Sequence, residues 1–108
     1  MLNYLKEEII DFSESQFGVR KGTECRGPLN HLKLEVEELI EVIGEGGKEE
    51  EEEWADCLLL LLDAFRIRYG NETSYNKLLH FALNKLDVIK KREWNKEPDE
   101  NGVFSSKK

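Results

Sequence analysis

Two pairs of carboxylates lie inside stretches of apolar sequence, and they constrain the fold of this chain more than any other feature. Glu35 and Glu38 form the first pair, and Glu53 and Asp56 form the second. Residues three apart are neighbours on one face of a helix, about 5 to 6 Å apart at Cβ. A carboxylate beside buried surface needs a cation, a basic partner or protonation. If two helices pack antiparallel with their axes about 8 to 10 Å apart, both pairs can converge on one hard cation such as Mg²⁺.

Apolar residues recur at helical spacing in four segments that are separated by glycine-rich or polar connections. Pro28 suits the first turn of a helix, and the glycines from Gly44 to Gly47 suit the end of one. The predicted helices cover about residues 2–16, 28–43, 48–69 and 74–94. The pattern predicts an all-α fold, an antiparallel helical bundle of about four helices completed by oligomerisation. We expect one domain over residues 1–95 and a loosely structured tail over residues 96–108.

The third predicted helix is apolar on two opposite sides. At 100° per residue, one sector holds Glu53, Asp56, Leu60, Asp63 and Ile67, and the other holds Trp54, Leu58, Leu61 and Phe65. A helix that packs on two sides in a chain of 108 residues implies an oligomer interface as well as an internal core. Arg66 or Arg68 can pair with Asp63, but neither is well spaced for Glu53. We expect Glu49 to Glu52 to form a solvated face, and spacing alone leaves ordinary flanking charge as an alternative to a metal site.

Charge and composition limit the possible partners. The chain has 23 acidic and 16 basic residues, a net charge of −7, which argues against binding of a nucleic-acid polymer. A single nucleotide that arrives complexed with a metal is not excluded. The two cysteines support neither a disulfide framework nor a zinc site. The longest apolar run is too short to span a bilayer, so we expect a cytoplasmic protein with no membrane partner.

Several segments, in order along the chain, resemble the all-α nucleoside triphosphate pyrophosphohydrolases of the MazG-like superfamily. The signature of that superfamily is ExxE followed after a short connector by ExxD, which here is Glu35 to Glu38 and Glu53 to Asp56. The segments similar to the small dATP/dGTP diphosphohydrolase-type branch are Phe12-Ser13, Phe17-Gly18, residues 27–32, residues 53–56, residues 62–64, Lys85 and residues 92–94.

This resemblance implies a homodimer or homotetramer that hydrolyses a nucleoside triphosphate, usually a deoxynucleotide, to the monophosphate and pyrophosphate. It implies Mg²⁺ as the cofactor, with Mn²⁺ as a possible substitute. Glu35, Glu38, Glu53 and Asp56 would hold the metal. Glu35 and Glu38 would be catalytic, with a coordinated or carboxylate-activated water attacking the α-phosphorus.

Four residues outside the acidic pairs are candidates for substrate binding. Lys85 and Arg92 are seven apart on one edge of the predicted fourth helix, where they resemble basic residues that contact phosphates; a solvated helix end is the alternative. His31 lies one turn before Glu35 and could contact a phosphate, orient a ligand or simply border the helix seam. Trp94 could stack on a base, as could Phe17, but aromatic residues near helix ends more often belong to the core.

Two departures from the related sequences leave the substrate open. Ile89 stands where relatives carry asparagine, and Asn95 stands where they carry proline. The lost asparagine encourages a second hypothesis, a non-catalytic helical module that senses a nucleotide or binds a protein partner.

Overall fold

Four α-helices and one short 3₁₀ helix form within residues 1–107, the part of the chain that the computed structural model describes. They are α1 (Leu2–Phe17), the 3₁₀ helix (Gly22–Cys25), α2 (Arg26–Val42), α3 (Gly47–Tyr69) and α4 (Asn76–Lys90). The predicted all-α class is confirmed, whereas oligomerisation stays a prediction. The chain divides into two compact units, one over Met1–Tyr75 and a second from Asn76 onwards. No helix in the described range is both long and apolar enough to cross a membrane.

A glycine-rich turn joins α2 to α3 and brings the two acidic pairs together. Gly44 and Gly46 have φ angles of 92° and 70°, in the left-handed region that glycine adopts without strain. One carboxylate oxygen of Glu50 accepts hydrogen bonds from both of their backbone N–H groups, at 3.0 and 3.1 Å. Glu50, expected on a solvated face, is partly exposed, and its side chain closes this turn.

Glu50→Ala is expected to lower the free energy of unfolding by about 1 to 2 kcal/mol, because two backbone N–H groups lose their acceptor. Urea unfolding followed by circular dichroism measures the change. Glu51→Ala is the matched control, since Glu51 is exposed and has the same charge. Its effect should stay within about 0.5 kcal/mol. Equal losses of unfolding free energy in the two variants would contradict the capping role of Glu50.

The core of the first unit is built around the C-terminal half of α3. Every residue from Leu62 to Ile67 is buried there, and Ile9 of α1 and Leu39 of α2 are buried as well. The N-terminal half of α3 differs, because Trp54 is 57% exposed and Leu58 and Leu61 are exposed too. Of the second apolar sector predicted for this helix, only Phe65 is buried within the chain.

A buried polar network holds α1 against α3. Arg66, which is 2% exposed, donates from Nε and a terminal nitrogen to Asp63 Oδ1 at 2.9 and 2.7 Å. It also donates to Ser13 Oγ at 3.0 Å and to Asn71 Oδ1 at 2.9 Å. Arg20 adds contacts of 2.9 Å to Ser13 Oγ and 3.1 Å to Asp63 Oδ2. The predicted pairing of Asp63 with Arg66 is confirmed, and the network explains how a charged pair tolerates burial.

The fourth helix ends four residues earlier than predicted. Arg92 donates its backbone N–H to the Ile89 carbonyl at 3.2 Å, and the Trp94 indole N–H donates to the same oxygen at 3.0 Å. These bonds replace the next helical hydrogen bond, so α4 stops at Lys90. Trp94 then pairs with Ser106 in an antiparallel bridge. The predicted division between domain and tail at residue 95 stays a prediction.

Candidate metal centre

Three of the four predicted carboxylates meet between α2 and α3. Ligand oxygens of Glu35, Glu38 and Glu53 all lie within 4.8 Å of one another. The turn described above makes α2 and α3 antiparallel neighbours. Glu35 and Glu38, which are three apart on α2, therefore face Glu53 on α3. Asp56 lies one turn further along α3 and is not part of this triad, although its charge contributes to raising the pKa of Glu53.

The triad brings like charges close together, and each carboxylate alters the pKa of its neighbours. A hydrogen bond with Glu35 raises the pKa of Glu53 to about 7, with partial burial and the charges of Glu35 and Glu38 adding to the effect. The same hydrogen bond lowers the pKa of Glu35. The pKa of Glu38 is raised, chiefly by its own hydrogen bond with Glu35 and by the charge there. Close carboxylates of this kind are typical of metal and catalytic sites.

The surroundings of the triad fit a divalent cation. One carboxylate oxygen of Glu53, Oε2, is buried and finds no hydrogen-bond partner of its own among residues 1–107. A buried oxygen without a partner carries a desolvation cost that a cation would remove. All three side chains offer hard oxygen ligands, which Mg²⁺ and Mn²⁺ prefer. Glu35, Glu38 and Glu53 are therefore the residues that could hold such an ion.

His31 contacts this triad through Glu35. Its Nε2 atom lies 3.1 Å from Glu35 Oε1, one helical turn away on α2. The role of His31 stays a prediction; a hydrogen-bonded neighbour of this kind can fix the direction of a coordinating side chain.

The predicted phosphate-binding residues belong to the second unit. Lys85 lies on α4, whereas Arg92 lies beyond the end of that helix. The prediction that both share one edge of a single helix is therefore wrong, because α4 stops at Lys90. The indole N–H of Trp94 is used by the Ile89 carbonyl, which leaves its ring faces for any stacking. The roles of all three in substrate binding stay predictions.

Sequence reasoning assigns no site role to Phe12, Ser13 or Arg20, which lie on or just after α1. Ser13 and Arg20 form the network with Asp63. Phe12 and His31 both line one cavity. A signal is present in the sequence, because Phe12-Ser13 and residues 62–64 are among the segments that carry the resemblance. Helical periodicity alone cannot pair two segments that are 50 residues apart.

Metal-free protein is expected to lose thermal stability as the pH rises from the ordinary glutamate value, 4.5, through the raised pKa of Glu53, about 7. Folding favours protonated Glu53, so its stabilising contribution is complete at low pH and lost on deprotonation. The raised pKa of Glu38 acts in the same direction as that of Glu53, whereas the lowered pKa of Glu35 acts in the opposite direction and only below 4.5. Melting temperatures across this range, measured in a chelator, test the slope.

Glu53→Gln should flatten that slope, while Glu37→Gln, an exposed neighbour on α2, should keep it. Added Mg²⁺ should restore stability at the alkaline end, because a ligand that binds the folded state stabilises it. Identical pH slopes in wild type and Glu53→Gln would contradict the assignment of this titration to Glu53.

The fold and the triad define a class: an all-α protein with a candidate divalent-metal centre formed by carboxylates on two antiparallel helices. A family model described as dATP/dGTP pyrophosphohydrolase matches residues 5–103. The chain belongs to this family, which confirms the resemblance to the corresponding MazG-like branch. No curated protein and no solved structure matches the chain.

Proposed function

We propose that this protein is a divalent-metal-dependent pyrophosphohydrolase that cleaves dATP or dGTP to the deoxynucleoside monophosphate and pyrophosphate. The observation that supports it most is the meeting of Glu35, Glu38 and Glu53 within 4.8 Å, in a chain that belongs to a pyrophosphohydrolase family. Water would attack the α-phosphorus, forming one P–O bond while the bond from the α-phosphorus to the bridging oxygen breaks. Pyrophosphate would leave with that oxygen.

The carboxylates of the triad would hold Mg²⁺, with Mn²⁺ as a substitute, and Asp56 would complete the ligand set. The bound ion would offset the charge of the triphosphate and make the attacking water more acidic. A carboxylate of the site would accept the proton of that water, and Glu35 and Glu38 are our candidates for this role. His31 would keep Glu35 in a fixed orientation through their 3.1 Å contact.

Lys85 and Arg92 are our candidates for binding the phosphates. Ammonium and guanidinium groups form charge-assisted hydrogen bonds with phosphate oxygens. Trp94 would offer a ring face to the substrate. The family description includes both purine deoxynucleotides. The contacts of Lys85 and Arg92 would therefore bind the triphosphate, which both nucleotides share.

A substrate panel tests the proposal. Each common dNTP and NTP is incubated with the purified protein, with Mg²⁺, with Mn²⁺ and with a chelator, and the products are separated. We expect a monophosphate and pyrophosphate from dATP and dGTP only when a metal is present. In ¹⁸O-labelled water, attack at the α-phosphorus places the label in the monophosphate. Label in pyrophosphate would instead indicate attack at the β-phosphorus.

Two outcomes would separate the enzyme from the non-catalytic alternative. No product from any nucleotide, together with tight metal-dependent binding of one of them, would indicate a sensing role and overturn the enzymatic proposal. Release of inorganic phosphate in place of pyrophosphate would overturn the proposed bond cleavage.

A further inference from the structure

A second cavity, of about 310 Å³, lies at the end of α3 that is far from the candidate metal centre. Glu14 of α1, residues 19–22 of the following loop and residues 66–71 line it, and all of them belong to the first unit. Tyr69 follows Asp56 by thirteen residues. Thirteen residues span about 20 Å along a helix, so this cavity is separate from the triad.

Positive charge is concentrated in the wall of this cavity. Arg20, Lys21, Arg66 and Arg68 all line it, and Glu14 is the acidic residue of the lining. The chain as a whole has a net charge of −7. The sign of the charge at this cavity is therefore opposite to that of the chain, and such a patch attracts anions.

Part of this positive charge stabilises the fold. Asp63 forms ion pairs with both Arg66 and Arg20, and Glu14 lies 3.8 Å from Arg66. Helices α1 and α3 both end beside the cavity, and each helix C-terminus carries about half a negative charge. The two carboxylates and the two helix ends offset about three of the four cations, so about one positive charge is left over.

The groups that carry the remaining charge have no partner within residues 1–107. Lys21 and Arg68 are exposed, and neither forms an ion pair in that range. Arg20 donates from one terminal nitrogen to Ser13 and Asp63, but its Nε is buried and finds no acceptor there. An unpaired buried donor carries a desolvation cost that a bound anion would remove.

We propose that this cavity binds a small phosphate-class anion, either free phosphate or pyrophosphate. Guanidinium and ammonium groups are the side chains that form charge-assisted hydrogen bonds with phosphate oxygens. The cavity volume lies at the lower end of the range of about 300 to 1,000 Å³ that ligand sites occupy, which suits such an anion better than a whole nucleotide. Binding here needs neither metal nor hydrolysis, so the inference does not depend on the proposed function.

Titration of the full-length protein with phosphate and with pyrophosphate tests the site. A chelator is present throughout, so that no metal at the triad recruits the anion. We expect a saturable shift of the Arg20 Nε–H signal in NMR spectra and a rise in melting temperature, because a ligand of the folded state stabilises it. Sodium chloride at equal ionic strength should produce neither. Equal responses to chloride would overturn the proposal, because they would indicate charge screening alone.

Two variants remove the exposed cations while leaving the buried network of Arg20 and Arg66 intact. Lys21→Gln and Arg68→Gln should each raise the Kd for pyrophosphate at least about tenfold, because a charge-assisted hydrogen bond is lost. Lys33→Gln is the matched control, since Lys33 is an exposed cation of α2 outside the cavity lining. Unchanged affinity in both cavity variants, or an equal loss in Lys33→Gln, would overturn the site.

Titration with 2′-deoxyadenosine 5′-monophosphate tests the size of the ligand. A saturable shift of the Arg20 signal with this nucleotide, and none with phosphate or pyrophosphate, would overturn the assignment of a small inorganic anion. A chain that hydrolyses nothing but shows the expected shifts would still support the site. An active pyrophosphohydrolase whose Arg20 signal responds to neither anion would overturn this inference and leave the proposed function standing.

Discussion

Glu38→Gln is expected to reduce kcat/KM for dATP and dGTP by at least about 100-fold, because metal-assisted charge stabilisation contributes several kcal/mol and each 1.4 kcal/mol is a factor of ten. The same variant should fold as well as wild type. Glu38 is exposed, and its raised pKa shows that its charge is disfavoured beside Glu35, so the neutral amide relieves repulsion. Loss of activity without loss of stability indicates a site selected for function.

Product assays, thermal unfolding and Mn²⁺ binding by electron paramagnetic resonance together measure this prediction. Glu37→Gln is the control, since it removes the same charge from an adjacent exposed position of α2. It should keep full activity and full Mn²⁺ affinity. Retained activity in Glu38→Gln would remove Glu38 from the site.

Asp56→Asn decides whether the fourth carboxylate belongs to the centre, because Asp56 lies outside the triad of close ligand oxygens. If Asp56 is a ligand, Asp56→Asn should lower both the Mn²⁺ affinity and the activity. Normal Mn²⁺ affinity would limit the protein ligands to Glu35, Glu38 and Glu53.

Asp63→Ala is expected to destabilise the fold by about 3 to 5 kcal/mol, since it removes the nearest counter-charge of a buried guanidinium and leaves the more distant Glu14, at 3.8 Å. Arg66 is 2% exposed and directs two nitrogens at Asp63, and Arg20 directs a third. This loss is a large fraction of the total stability of a typical domain, about 5 to 15 kcal/mol. Urea unfolding measures it, with Asp11→Ala as an exposed control on α1.

A double-mutant cycle with Arg66→Met keeps this prediction testable if Asp63→Ala does not fold. Removing both charges should cost less than the sum of the single changes, because neither partner then remains buried alone. Strict additivity would show that Asp63 and Arg66 do not act as a pair. A loss of less than about 1 kcal/mol in Asp63→Ala would show that water replaces the carboxylate at low cost.

The helices and the acidic triad could be predicted from the sequence because both depend on local spacing. The 3.6-residue period places Glu35 and Glu38 on one face, and the glycines at 44, 46 and 47 place the turn that folds α3 back on α2. The same reasoning fails at the end of α4, where the Trp94 side chain and a backbone bridge to Ser106 compete with continued helix. The indole of Trp94 contacts a carbonyl five residues earlier, and its bridge partner, Ser106, lies more than ten positions beyond the end of the helix.

The sequence by itself determined the all-α class, the antiparallel α2–α3 pair and three carboxylates of the candidate metal centre, because neighbours along a helix and across a short turn are fixed by local geometry. Only the tertiary structure decided that Ser13 and Arg20 meet Asp63 and Arg66, and that Phe12 and Phe17 border a cavity beside His31. Those contacts join α1 to the far end of α3. Their formation depends on packing and on the cost of burying charge, which spacing along one helix does not encode.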